Sequence, residues 1–457
     1  MKYEKPVVNK LQSGMMNKFG ASPFYARRVR EQIDGVPVAD LVERFGSPLY
    51  VFSETRLRNR HRELLQLFAN RYPNVTFGWS YKTNYLKAIC AIQHAEGSIA
   101  EVVSEMEYDK ARALGIPGEE IIFNGPHKTL DALEKAAREG AMINLDHVDE
   151  IYDLEAVSDR IGKPIKVGMR LNMDTGIHPQ WSRFGLNLES GQAMDAVKRM
   201  ASGGKLALNG LHCHIGTFIL EPDAYAQEIG KMVAFGYAVE EAFGFKMEYI
   251  DIGGGMPSMI KLKGTYLPPD VGVPSMEQYA EKIANALYDS LRPGDFPRLI
   301  LESGRAMVDE AGFLITSIFA AKRLPDGRKA YVADAGVNNL FTAFWYKFNI
   351  EIDREISGVN EPSVIYGPLC MNIDVIDEGT LLPPLDRGTR LVISPVGAYN
   401  NTQSMQFIEY RPNVVLIGTE GSVEVIKAAE DLAYVEAMER LPERLALTSA
   451  PQNGRRP

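Results

Sequence analysis

Lys82 ends the run Phe77-Gly78-Trp79-Ser80-Tyr81-Lys82, in which Val75, Phe77, Trp79 and Tyr81 read as a buried strand. Desolvating an ammonium is costly, so a lysine delivered to the end of a buried strand is paired, functional or already back at the surface. At the mouth of an α/β barrel its amine is placed to act as a nucleophile. Burial is then expected to lower its pKa and free the amine to form a Schiff base. Other groupings bear on this lysine. His212-Cys213-His214-Ile215-Gly216-Thr217 closes a second strand, and the H-x-H spacing puts two imidazoles on one side, as metal sites do. No third and fourth ligand has suitable spacing, so no metal is expected. A flat imidazole can instead stack on a cofactor ring, or serve as a satisfied structural histidine. Asp251-Ile252-Gly253-Gly254-Gly255 follows a strand with three glycines, whose N–H groups can cradle a phosphate; a tight turn explains them equally well. The stretch is neither G-x-G-x-x-G nor a P-loop, so nucleotide binding is not implied. Glu302 and Arg305 put a carboxylate and a cation three residues apart at another strand end. They could serve opposite ends of one cofactor, a protonated ring nitrogen and a phosphate, or form a surface ion pair.

These residues need elements to hold them, and the chain supplies a regular alternation. Strands near 48–52, 75–81, 99–102, 121–124, 141–146, 165–171, 206–212, 249–252 and 298–302 are separated mostly by helical stretches. Ser53 is expected to cap a helix over 56–71. About nine β elements over this span point to a (β/α)8 TIM-like barrel with active-site residues at the strand C-terminal ends; an open doubly wound sheet is the competing architecture. After about Gly312 the texture changes to short β-like runs, including 313–319, 330–334, 363–366, 390–393, 407–410 and 414–416, which read as a mostly antiparallel β domain. The expected division is a barrel over 46–312, a β domain from 1–45 with 313–435, and a disordered tail over 436–457. Cys370, behind the Gly367-Pro368 turn, and Tyr399 fall in the β domain; the cysteine is functional only if that domain reaches the barrel mouth.

The 457 residues exceed one ordinary core. Hydrophobic residues make up 45% and charged residues 24%, the balance of a soluble globular protein. The net charge of −9 argues against non-specific nucleic-acid binding. Three scattered cysteines give no disulfide framework, and neither a signal peptide nor a membrane span is evident. A cytoplasmic setting is expected.

In order and spacing these motifs, over roughly residues 35 to 430, resemble the fold-type III pyridoxal-phosphate decarboxylases, the family of diaminopimelate and eukaryotic ornithine decarboxylases. The resemblance implies the alanine racemase-like barrel with its β domain. It implies that Lys82 carries pyridoxal 5'-phosphate and that His214 stacks on its ring. It places Glu302 against the ring nitrogen, and Gly253, Gly254, Gly255, Gly304, Arg305, Thr217 and Tyr399 around the cofactor and its phosphate. Glu101 stands where the family usually has an aspartate, Arg183-Phe184-Gly185 matches its Lys-Phe-Gly segment, and Glu-Ser-Gly-Arg replaces Glu-Pro-Gly-Arg. Cys370 matches a cysteine lent by a partner subunit to protonate the product, which implies a homodimer with shared sites.

Two departures fall at the substrate's far end. Met371 follows the cysteine where the family has an acidic residue, and Thr342 stands where diaminopimelate decarboxylases carry an arginine, although Tyr346 is kept. Arg170 joins these three as an expected substrate contact. The expected activity is α-decarboxylation of an amino acid or an acylated or carrier-linked conjugate. Diaminopimelate decarboxylation proper and amino-acid racemisation are the alternatives. A non-catalytic regulatory role would predict damaged cofactor residues, and these are intact.

Overall fold

The computed structural model describes residues 29–445. Eight parallel strands form a closed barrel: Val75–Ser80, Ile99–Val102, Ile121–Phe123, Met142–Leu145, Ile165–Asn172, Leu206–Cys213, Tyr249–Asp251 and Arg298–Leu301. The last strand closes on the first, with Leu299 opposite Val75. These strands are apolar on both faces because side chains pack inward to the barrel axis and outward to a helical shell. Each helix buries one stripe; Leu130–Glu139, for example, buries Ala132, Leu133 and Ala136 and stops at Gly140, whose φ of 78° suits a residue without Cβ.

Leu49–Ser53, grouped by sequence with the barrel, belongs to the second sheet instead. It runs antiparallel to Gly312–Arg323 and parallel to Val414–Ile417. Its outer face packs Leu49 and Val51 against Phe313, Ile315, Val392 and Val415. A strand buried on both sides carries no local mark of which sheet it joins. The helix after it, Glu54–Ala69, does return to the barrel wall, packing on Met276–Ser290 and capped by Ser53, whose Oγ accepts from Arg56 N at 3.1 Å.

The second sheet has nine strands, antiparallel except for two pairings. Gly312–Arg323 organises it, pairing with Leu49–Ser53, Arg390–Ser394 and Lys329–Ala333 along its length. The expected strand at 407–410 is a set of bends with Phe407, Ile408 and Tyr410 exposed; its apolar side chains have no facing sheet to cover them. Of the expected β-domain N-terminus, 1–28 lies outside the described residues, and Val29 bridges to Ile352. Of the expected disordered tail, 436–445 is described and exposed, with a short 3-10 turn at Glu443–Leu445, and the remainder lies outside. A short arm after the glycine turn also joins the two halves: Lys261–Leu262 pairs antiparallel with Tyr346–Lys347.

One buried ion pair braces the barrel mouth. Lys128 Nζ lies 2.8 Å from Glu150 Oε1 and 2.7 Å from the Gly125 carbonyl, while Glu150 Oε2 accepts from Asp146 N at 2.7 Å. Both side chains are sealed from solvent. Lys128→Met would leave the Glu150 carboxylate buried without its cationic partner, with only the Asp146 N–H to hold it. The expected loss is about 3–5 kcal/mol of stability, read as a lowered urea midpoint.

Candidate active site

The strand Val75–Ser80 runs into a 3-10 turn, Tyr81–Thr83, that aims Lys82 over the barrel axis. Lys82 Nζ lies 2.5 Å from Glu101 Oε2 and 3.1 Å from Ser80 Oγ. Ser80 Oγ also donates to Glu101. Asn124, just past the third strand, bridges two carboxylates: its Nδ2 donates to Glu101 Oε1 at 3.1 Å and to Glu302 Oε1. The chain continues through Asn144, which donates to Asn124 Oδ1 at 2.9 Å and accepts from Tyr249 OH at 2.7 Å. Buried polar groups need such partners, and this network fixes where both carboxylates point.

Lys82 does not behave as burial alone predicts. Desolvation favours the neutral amine, but Glu101 and Glu302, with Tyr399, outweigh it and raise the pKa above the ordinary lysine value. The amine is held as an ammonium, so the expectation of an amine freed by burial is corrected. His214 goes the other way: burial, with Arg170 and Lys82 adding to it, lowers its pKa to about 3, leaving a neutral ring. Its Nδ1 accepts from Gly254 N at 3.2 Å and its edge meets Trp181.

His212 does not pair with His214 as two ligands would. Its Nε2 lies 3.3 Å from Glu302 Oε2, and one ligand atom each of His212, Asp251 and Glu302 falls within 4.8 Å of the others. Burial and the Glu302 charge push Asp251 well up, while His212 and Lys82 overcome the burial of Glu302 and hold it well below the usual carboxylate range. Within the trio the proton is thus favoured on Asp251 and the negative charge on Glu302, which His212 faces and which lines the cavity.

On the opposite side Arg305 opens the short helix Arg305–Val308 and is buried. Its NH1 reaches Asp309 Oδ2 at 3.2 Å, and its guanidinium lies 4.5 Å from the Tyr346 ring centre and 5.2 Å from that of Tyr399. Its Nε is buried with no partner among the described residues. Gly253 and Gly255 have φ of 63° and 102°, and a Cβ on Gly254 would collide with the Glu302 carbonyl. Gly304 sits as tightly against Thr83. Tyr399 also has positive φ, 65°, held by its N–H to the Thr83 carbonyl at 2.9 Å.

These groups share one cavity of about 740 Å³ between the barrel mouth and the β domain. It gathers Lys82, Glu101, Arg170, His214, Thr217, Glu302, Arg305, Thr342, Tyr346 and Tyr399, all named from sequence. A small recess at its edge is lined by Gly254, Gly255 and Gly304, with Gly253 packed against His214. Cys370 is exposed and Met371 half-buried, and neither lines the cavity of its own chain. Thr342 turns its hydroxyl to Asn400 Oδ1 at 2.8 Å. Arg170 lies 3.4 Å from Asp146 and over the Phe184 ring at 4.6 Å. Sequence reasoning missed His178, Trp181, Phe218 and Trp345, which line the same cavity from loops without periodicity, Leu262 from the two-residue strand Lys261–Leu262, and Asp309, marked only by its spacing of four from Arg305.

Residues 55–309 match the family model described as the pyridoxal-binding domain of pyridoxal-dependent decarboxylases. The diaminopimelate decarboxylase of Methanocaldococcus jannaschii is 29% identical over 429 residues, covering 90% of this chain and 95% of the relative. That of Aquifex aeolicus is 27% identical over 419 residues, covering 88% and 94%. The crystal structure of the M. jannaschii enzyme superposes with a TM-score of 0.83 at 28% identity, over 91% of this chain and 98% of that one.

Proposed function

The chain belongs to the pyridoxal-dependent decarboxylases and is a pyridoxal 5'-phosphate-dependent amino-acid decarboxylase; from that premise we propose that it removes the α-carboxylate of an amino acid whose far end carries no free charge, such as an acylated or carrier-linked conjugate. The observation that carries the proposal is one cavity holding an intact cofactor constellation beside the uncharged Thr342, where the sequence resemblance implies an arginine.

The residues fit the cofactor. An unpartnered buried Arg305 Nε beside the glycine turn suits a phosphate, and an ionised Glu302 suits a protonated ring nitrogen. Bound there, pyridoxal phosphate supplies an electron sink for the pair left on Cα when CO2 departs. Lys82 attaches the cofactor, and Glu101 orients the amine. The neutral His214 would pack its ring against the cofactor without adding a cation. Gly253, Gly254, Gly255, Gly304, Thr217 and Tyr399 complete the phosphate and cofactor contacts with Arg305. Arg170 and Tyr346 contact the substrate. Cys370 delivers the proton to Cα. Because that thiol is exposed and away from its own cavity, it acts in the site of a second copy, which makes the working unit a homodimer. Exposed Phe344, Trp345 and Ile373 on the β domain are apolar surface for such an interface. Three unpaired thiols accord with a cytoplasmic location, and no described helix is long and apolar enough to cross a membrane.

A raised Lys82 pKa has a consequence for loading the cofactor. Only the unprotonated amine attacks an aldehyde, and below the folded pKa its fraction grows about tenfold per pH unit. Reconstitution of apoprotein with pyridoxal phosphate is expected to accelerate from pH 6 to pH 9 along that slope, followed by absorbance.

A substrate panel tests the reading. With Met371 and Thr342 in place of charged partners, a buried distal charge loses several kcal/mol. ω-N-acylated amino acids should therefore release CO2 with kcat/KM at least about 10²-fold above meso-diaminopimelate. The relatives' names favour meso-diaminopimelate itself, and its fast, selective turnover would defeat the proposal. Labelled CO2 release also excludes a racemase, which releases none.

A further inference from the structure

We infer that a second, apolar cleft beside the catalytic cavity receives the uncharged arm of the conjugated substrate. The inference rests on the function proposed above. The cleft, about 300 Å³, lies under the arm that joins the glycine turn to the helix Met276–Ser290. Phe218 and Leu262 line both spaces, which adjoin at these two residues. Away from that junction the cleft is lined mainly by apolar side chains, among them Leu220, Ile260, Leu267 and Val273. Lys261, Thr265 and Tyr266 are its members with polar side-chain atoms; Lys261 Nζ lies 3.5 Å from the Tyr266 carbonyl and Thr265 Oγ1 lies 2.6 Å from that of Leu262.

The arm is fixed in place. Leu262 pairs with Tyr346 and Lys261 with Lys347, and Lys263 N donates to the Trp345 carbonyl at 2.7 Å. The cleft's floor is thus hydrogen-bonded to the cavity's own wall. Phe218, at the junction, holds φ at 57°, a conformation costly for a bulky residue and kept only where the surroundings enforce it. Its ring packs 5.2 Å from Tyr346. A free amino acid would leave the cleft empty. A side chain extended by an amide or acyl group would leave the cavity past Phe218 and bury its methylenes there. The absence of a charged group at Thr342 and Met371 fits the same occupant, because an uncharged arm needs no ionic partner.

The experiment uses the holoenzyme with ω-N-acyl derivatives of 2,3-diaminopropionate, ornithine and lysine, each carried as acetyl, butyryl and hexanoyl. The expected result is a KM that falls about twofold to fourfold per added methylene at constant kcat, the pattern of uniform binding in an apolar site. Val273→Trp and Leu220→Trp, both lining the cleft and not the catalytic cavity, should each flatten that dependence while retaining the cofactor's visible band. Turnover without length dependence in the unmodified protein overturns the cleft and leaves the decarboxylase reading intact. So does a length dependence that survives both tryptophan variants. Turnover of meso-diaminopimelate with none of any acyl derivative overturns both.

Discussion

Lys82→Ala is expected to lose CO2 release by about 10³-fold or more and to lose the visible band that the unmodified holoprotein shows with pyridoxal phosphate. The size reflects the loss of the covalent anchor, a nucleophile that no neighbouring group in the cavity can replace. Ser80 and Glu101 remain in place, because Glu101 is also held by Asn124, so the pocket itself should survive. Lys82→Arg separates the alternatives. It keeps a cation beside Glu101 and Glu302 but cannot bond an aldehyde, and it should be as inactive as alanine. Retained turnover in either variant would mean that the amine at this position is not the attachment point, and the mechanism proposed for this cavity would fall.

The second large effect is one of recovery. Cys370→Ala is expected to lose about 10²-fold as the positioned acid is removed. Mixed in equal amounts with Lys82→Ala under conditions that exchange subunits, it should recover about a quarter of normal activity, since half of the dimers are hybrids and each hybrid keeps one of two sites intact. Neither variant could do this if Lys82 and Cys370 served a site within one chain. An inactive mixture, in material shown to have exchanged, would place the proton donor within the chain and remove the reason for a shared site. Recovery would also require association of two chains, because a monomer gives none.

Much of the catalytic outline was legible in the residues themselves. An alternation of apolar runs and helical stripes is set by neighbours two to four positions apart, so the barrel, its strand ends and the polar residues on them could be read directly. Lys82, His214, the glycines 253–255, Glu302 and Arg305 all stand at such ends, and the fold brings them to one mouth. Which sheet a doubly buried strand joins is not written locally, and Leu49–Ser53 went to the other side. Nor is a charge state. The Lys82 pKa is raised because Glu101 and Glu302, 19 and 220 positions away in the chain, lie near its amine and outweigh desolvation, and that of Asp251 is raised by burial and by its neighbour Glu302. The apolar wall of Trp181, Phe218, Leu262 and Trp345 comes from three separate loops and the short strand Lys261–Leu262. Sequence thus determined the elements and the reactive groups at their ends, through short-range periodicity. The tertiary structure alone decided protonation, pairing and the shape offered to a substrate, because these depend on desolvation and on Coulomb contacts between residues far apart in the chain.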